Sequence, residues 1–93
     1  MIKSFRGKHA QWIWSGEGVR RFPPDLQKIA RRKLRMLNNA RALDDLRIPP
    51  GNRLERLRGD RTDQYSIRLN DQWRICFVWS NGDALDVEIV DYH

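Results

Sequence analysis

The sequence predicts an α+β fold in which N-terminal helices pack on one face of a twisted antiparallel β-sheet. Apolar residues recur at helical spacing only in the first half of the chain, and they alternate at strand spacing only in the second. The strand-like runs are joined by connections so short that only antiparallel hairpins fit. Ninety-three residues make one domain, 1–93. Such a domain hides roughly 60–65% of its unfolded surface.

Met1 to Phe5 is long enough for one edge strand or a strand-like arm. His9 to Trp14 can form one or two helical turns before Gly16 and Gly18 end them. Trp12 and Trp14 are expected to pack that short helix, with stacking on nucleobases as the alternative. Pro23-Pro24-Asp25 reads as a helix start, with proline at the first position and an acid where the macrodipole favours one. Leu26, Ile29, Ala30, Leu34, Leu37 and Ala40 then form one core-facing stripe over about 16 residues. The other faces carry Lys28, Arg31, Arg32, Lys33, Arg35 and Arg41. Like charges at that density weaken a helix, so they suit a bound anion; a solvated face is the alternative. One further short turn fits Arg41–Leu46, and Ile48-Pro49-Pro50-Gly51 ends it.

Three half-buried strands follow. Tyr65, Ile67 and Leu69 mark the first, Trp73, Ile75, Phe77 and Trp79 the second, and Leu85, Val87 and Ile89 the third. A two-residue Asn81-Gly82 loop would set Phe77 against Asp86 and Ile75 against Glu88, so a three-residue connection, Asn81–Asp83, is predicted instead. It aligns Trp79 with Leu85, Phe77 with Val87 and Ile75 with Ile89. The same rule at Asn70–Gln72 pairs Ile67 with Ile75 and Tyr65 with Phe77. On the far face Arg68 then opposes Arg74, and Arg74 opposes Val90 with Tyr92 one diagonal step away. Opposed arginines repel unless an acid or a bound anion lies between them. Glu88 is the candidate acid; a phosphate is the functional alternative.

Composition narrows the partner. Hydrophobic residues are 40% and charged residues 32%, the range of ordinary globular chains. Eighteen basic against 12 acidic side chains give +6, and the balance is regional: 12 against 4 over residues 1–47, 6 against 8 over 48–93. All but four of the cations are arginines, whose planar fork suits phosphate, so nucleic acid is the leading ligand class. Apolar runs fall far short of the roughly 20 residues a membrane helix needs, and no signal-peptide core is read at the start, so a cytoplasmic protein with no membrane partner is expected. The single cysteine, Cys76, and two histidines offer no disulfide framework and no metal-ligand spacing. No metal and no cofactor are expected.

If the anion is RNA, the simplest chemistry without a metal is attack of a 2′-hydroxyl on its neighbouring phosphate. A base must take the hydroxyl proton, a cation must stabilise charge on the phosphate oxygens, and an acid must protonate the departing 5′-oxygen. Arginine does only the second. Arg58, Arg68 and Arg74 are the candidates, with Arg53, Arg56 and Arg61 on a loop that can reach the same rim. Asp91-Tyr92-His93 supplies a carboxylate, a phenol and an imidazole for proton transfer.

The ordered set Met1-Ile2-Lys3-Ser4-Phe5, Arg32-Lys33-Leu34 with Met36-Leu37, Pro50-Gly51-Asn52-Arg53-Leu54, Leu57-Arg58-Gly59-Asp60-Arg61, Tyr65-Ser66-Ile67-Arg68, Asn70 to Phe77, Asn81-Gly82-Asp83-Ala84 and Val90-Asp91-Tyr92-His93 resembles the HigB-type toxins of the RelE-like ribonuclease superfamily. The resemblance spans almost the whole chain. It implies a compact RelE-like fold, cleavage of messenger RNA in the decoding site of the 70S ribosome, neutralisation by a HigA-type antitoxin, and operator DNA binding only through that antitoxin. Relatives often carry His-Pro-Leu-Lys where this chain has Glu55-Arg56-Leu57-Arg58. Arg58 can replace the lysine's charge, Glu55 is the weaker substitute for the histidine, and the proton-transfer role moves to Asp91, Tyr92 and His93. Arg31, Arg32 and Arg35 join Arg53, Arg56, Arg61 and Arg68 as phosphate-binding candidates. A non-catalytic, basic RNA- or ribosome-binding module is the alternative.

Overall fold

The computed structural model describes residues 1–61 and 63–91. Helix α1 spans His9–Trp14 and α2 spans Pro24–Asn39, with the predicted proline start and Asp25 in the first turn. The α2 stripe is as the spacing requires: Leu26, Ala30, Leu34, Leu37 and the following Ala40 are buried, and Ile29 packs beside them. Lys33 departs from the predicted charged faces. It is buried, and its Nζ donates to Oδ1 of the fully buried Asn52, whose Nδ2 donates in turn to the carbonyls of Leu46 (3.1 Å) and Ile48 (3.4 Å). One lysine thus ties α2 to the 46–52 segment, and burial, followed by the charges of Arg32 and Arg68, lowers its pKa. A short 3-10 turn at Leu43–Arg47 satisfies the further turn predicted there.

The sheet has four antiparallel strands in sequence order: β1 Glu55–Arg56, β2 Gln64–Arg68, β3 Trp73–Ser80 and β4 Asp83–Asp91. Strand β1 was not anticipated, because two residues show no alternation. The N-terminal segment covers the other edge. Lys3 N donates to Ala84 O at 2.8 Å and Val87 N to Ser4 O at 3.0 Å, in parallel bridges beside β4. Edge groups that would otherwise template another chain are thereby paired.

Tyr65 pairs with Phe77, Ile67 with Ile75, Arg68 with Arg74, Ile75 with Ile89 and Arg74 with Val90, all as predicted. The β3–β4 turn requires a correction. Ser80 pairs with Asp83 and Val78 with Leu85, so the loop is the two-residue Asn81-Gly82, not Asn81–Asp83. Both loop residues have positive φ, 52° and 82°, the conformation that favours Asn-Gly at hairpin turns. The clash foreseen for this register is removed by a β-bulge: Asp86 and Val87 together face Phe77, with Asp86 at φ 51° and its amide donating to Ser4 Oγ at 2.9 Å.

Ile67, Ile75, Phe77, Val87 and Ile89 form one sheet face of a core shared with Ala10, Ile13, Leu26, Leu34 and Leu37. Trp14 packs against it, while Trp12 is partly exposed beside His9. Gly82 allows a direct test of the turn. A Cβ there would meet the Arg41 carbonyl oxygen at 3.4 Å as well as the positive φ. Gly82→Ala is expected to cost about 1–2 kcal/mol in urea unfolding. Gly51→Ala, with open space and no positive φ, should fall within about 0.5 kcal/mol of the parent.

Candidate functional site

The sheet face away from the helices is built in rows. Glu55, Ser66, Cys76 and Glu88 stand side by side across β1 to β4, and Arg68, Arg74 and Val90 form the next row. This face is not a solvated ladder: Ser66 and Cys76 are fully buried and Arg74 is 8% exposed. Arg74 Nε donates to Ser66 Oγ at 2.7 Å, and its Nη2 donates to the Arg53 carbonyl at 2.6 Å. Glu55 Oε2 lies 4.0 Å from the same Nη2, while the Glu55 side chain is 57% exposed. The acid beside Arg74 is therefore Glu55 and not Glu88. Sequence reasoning passed over Ser66, whose only signal was its shared face with Arg74.

Glu88 is taken by Arg61. Its Nη1 donates at 3.0 Å to both Gln64 Oε1 on β2 and Glu88 Oε1 on β4. Those strands flank β3, so the guanidinium sits over the middle strand at Cys76. Arg68 pairs with Asp71, which is 99% exposed, so that ion pair is a weak one. The opposed arginines are tolerated because each has its own acid.

Burial pushes the Cys76 thiol up to about 11, with the Arg61 and Arg74 charges opposing that shift and Glu88 adding to it. The folded thiol holds its proton at pH values where the unfolded one has lost it. Stability from this group is therefore present below about pH 9 and falls as pH rises toward 11. Native protein at pH 8 is expected to resist thiol alkylation, with labelling appearing only on denaturation; mass spectrometry checks this.

At the β1 edge an open cleft of about 640 Å³ is lined by Glu55, Arg56, Leu57 and Arg58. Arg58 is exposed and has no ion pair among the described residues. The loop arginines predicted to share one rim divide. Arg56 and Arg58 reach the cleft, Arg61 crosses the sheet, and Arg53, held at φ 46°, contributes its carbonyl to Arg74. A carboxylate and cations thus meet beside a buried guanidinium, a combination suited to holding a phosphate and exchanging a proton.

The remaining candidates lie elsewhere. Asp91 pairs with Trp73, which places it on the opposite face from Arg74, and its Oδ2 accepts from Gln72 Nε2 at 3.1 Å. Tyr92 and His93 lie outside the described residues. Arg31 Nε donates to the Ile13 carbonyl at 3.3 Å, joining α2 to the end of α1, while Arg32 and Arg35 are exposed. Among the described residues no three His, Cys, Asp or Glu side chains gather as metal ligands would. No helix among them is long and apolar enough to cross a membrane.

Comparison with known proteins finds a matching family and several similar chains. Residues 3–93 match the family model described as the RelE-like toxin of the type II toxin–antitoxin system HigB. Toxin HigB-1 of Vibrio cholerae is 46% identical over 87 residues, 92% of each chain. Endoribonuclease HigB of Proteus vulgaris is 35% identical across the full length of both chains. An uncharacterised protein of Haemophilus influenzae is 37% identical over 69 residues, 74% of this chain and 68% of its own.

Proposed function

The chain belongs to the RelE-like HigB toxins of type II toxin–antitoxin systems, and from that membership we propose that it is a metal-independent endoribonuclease cutting messenger RNA in the ribosomal A site. The observation that carries the reading is the cleft in which Glu55 and Arg58 stand together beside Arg74. The 2′-oxygen forms a bond to phosphorus as the bond to the 5′-oxygen breaks, and the proton lost from the first is matched by one delivered to the second. Arg58 neutralises charge growing on the phosphate oxygens, supported by the field of the buried Arg74. In this reading His93 and Tyr92 exchange the protons, Asp91, whose Oδ2 accepts from Gln72, supports them, and Glu55 is a second acceptor for the 2′-hydroxyl proton. Ribosomal alignment of the substrate supplies orientation that the exposed Glu55, Arg56 and Arg58 do not.

Purified protein is expected to give new RNA ends on programmed ribosomes and little cutting of free RNA. Binding without new ends overturns the reading and leaves the rival, a non-catalytic RNA- or ribosome-binding module. One observation favours that rival: Arg61, Arg68 and Arg74 each face an acid already. In this reading a HigA-type antitoxin neutralises the toxin in the cytoplasm, and operator DNA is bound only through that antitoxin. Arg32 and Arg35 add phosphate contacts from α2. Replacing both with glutamine should weaken ribosome binding and lower the salt slope of log K by about 1.5–2, read from a salt titration.

A further inference from the structure

A second cavity, of about 370 Å³, lies on the helix side of the sheet, lined by His9, Arg21, Phe22, Trp73, Ile89 and Asp91. The Phe22 and Trp73 rings meet edge to face at 4.9 Å, and His9 meets Phe22 at 5.3 Å, so the inner wall is an aromatic ladder. Phe22 is buried, but Trp73 and His9 are only half-buried and present ring surface to the cavity. The mouth is polar and asymmetric. Arg21 is exposed and carries no ion pair among the described residues, while Asp91 is held at the strand end by Gln72.

Arg21 sits on a fixed loop. Gln27, from the first turn of α2, accepts from Val19 N at 3.1 Å and donates to the carbonyls of Val19 (2.9 Å) and Phe22 (2.8 Å). Three bonds from one side chain pin both ends of the Val19–Phe22 turn. The preceding residue, Arg20, is exposed too, so the loop carries a second cation next to Arg21.

Packing of the core accounts for Phe22 but not for an aromatic-walled space with a cation at one end and a carboxylate at the other. Aromatic faces beside a cation are what single-stranded nucleic acid uses, the base stacking and the phosphate on the charge. The charges fix the direction in which a nucleotide enters: its phosphate belongs at Arg21, away from Asp91, and its base against Trp73. We propose that this cavity takes one unpaired nucleotide of the RNA substrate outside the scissile linkage. The inference deepens the reading above and rests on it for the identity of the ligand as substrate.

The test uses a five-nucleotide single-stranded RNA made uncleavable by 2′-O-methylation, added to the full-length protein. NMR follows the four indole N–H signals, with Trp73 assigned by a Trp73→Phe variant. Binding is expected to move the Trp73 signal, and Arg21→Ala to weaken the oligonucleotide roughly tenfold, with Arg21→Lys recovering part of it and Arg47→Ala, on a distant exposed turn, leaving it unchanged. In cleavage on ribosomes Arg21→Ala should raise KM and leave kcat near the parent value. If the parent protein cuts no RNA yet the Trp73 signal still moves and needs Arg21, the endonuclease reading fails and the nucleotide cavity stands. If the parent cuts RNA and Arg21→Ala changes neither binding nor KM, the cavity proposal is overturned. Loss of antitoxin capture with intact RNA binding makes this a protein-docking site and overturns it equally.

Discussion

Truncation after Asp91 is expected to abolish cutting on programmed ribosomes, lowering the rate by about 10²–10⁴, while ribosome binding stays near the parent value. The two removed residues are the phenol and imidazole to which proton transfer is assigned. The cations that hold phosphate, Arg58 in the cleft and Arg32 and Arg35 on α2, remain. His93→Ala and Tyr92→Phe separate the two proton carriers. Sequencing of RNA ends and a sedimentation assay read the two halves independently. Undiminished new ends after truncation would move the acid and base to Glu55 and its surroundings.

Replacing Arg74 should have the largest effect on stability. Arg74→Ala strips donors from Ser66 Oγ and the Arg53 carbonyl within a buried part of the sheet, and removes the guanidinium 4.0 Å from Glu55. A buried charged group with several hydrogen bonds costs about 2–4 kcal/mol when removed. In a domain of this size that corresponds to a fall in Tm of roughly 10–25 °C. Arg74→Lys should recover only part, because an ammonium cannot reproduce the fork that meets Ser66 and Arg53 together. Ser66→Ala combined with Arg74→Ala should be less than additive, since both single changes break the same bond. Full additivity in thermal melts would show that the guanidinium stands independently of the serine.

How much of this was legible depends on which interactions are local. The α2 stripe was readable because helical spacing is a property of one segment, and the pairing of Ile67 with Ile75 followed because a three-residue loop fixes it. The β3–β4 turn was misread because apolar pairing and turn chemistry gave conflicting registers. One inserted residue satisfies both, and alternation alone does not reveal a bulge. Lys33 looked like surface charge because its partner, Asn52, is 19 residues away. The site divides likewise. The opposition of Arg68 and Arg74 followed from register, but their acids, Asp71 and Glu55, and the buried serine under Arg74 depend on a loop and an edge strand that carry no periodic signal.

The extra residue in β4 has an effect beyond its own turn. In a strand every side chain's direction is a matter of odd or even count, and Asp86 changes that count once, between the hairpin loop and the end of the chain. Upstream of it the parity is dictated by Asn81-Gly82; downstream, by the apolar partners Ile75 and Ile89. The swap sends Val90 toward Arg74 and Asp91 toward Trp73. A single insertion or deletion anywhere in 83–90 would therefore act like a frameshift in space, exchanging the faces on which Val90 and Asp91 lie while leaving the composition of the strand almost unchanged.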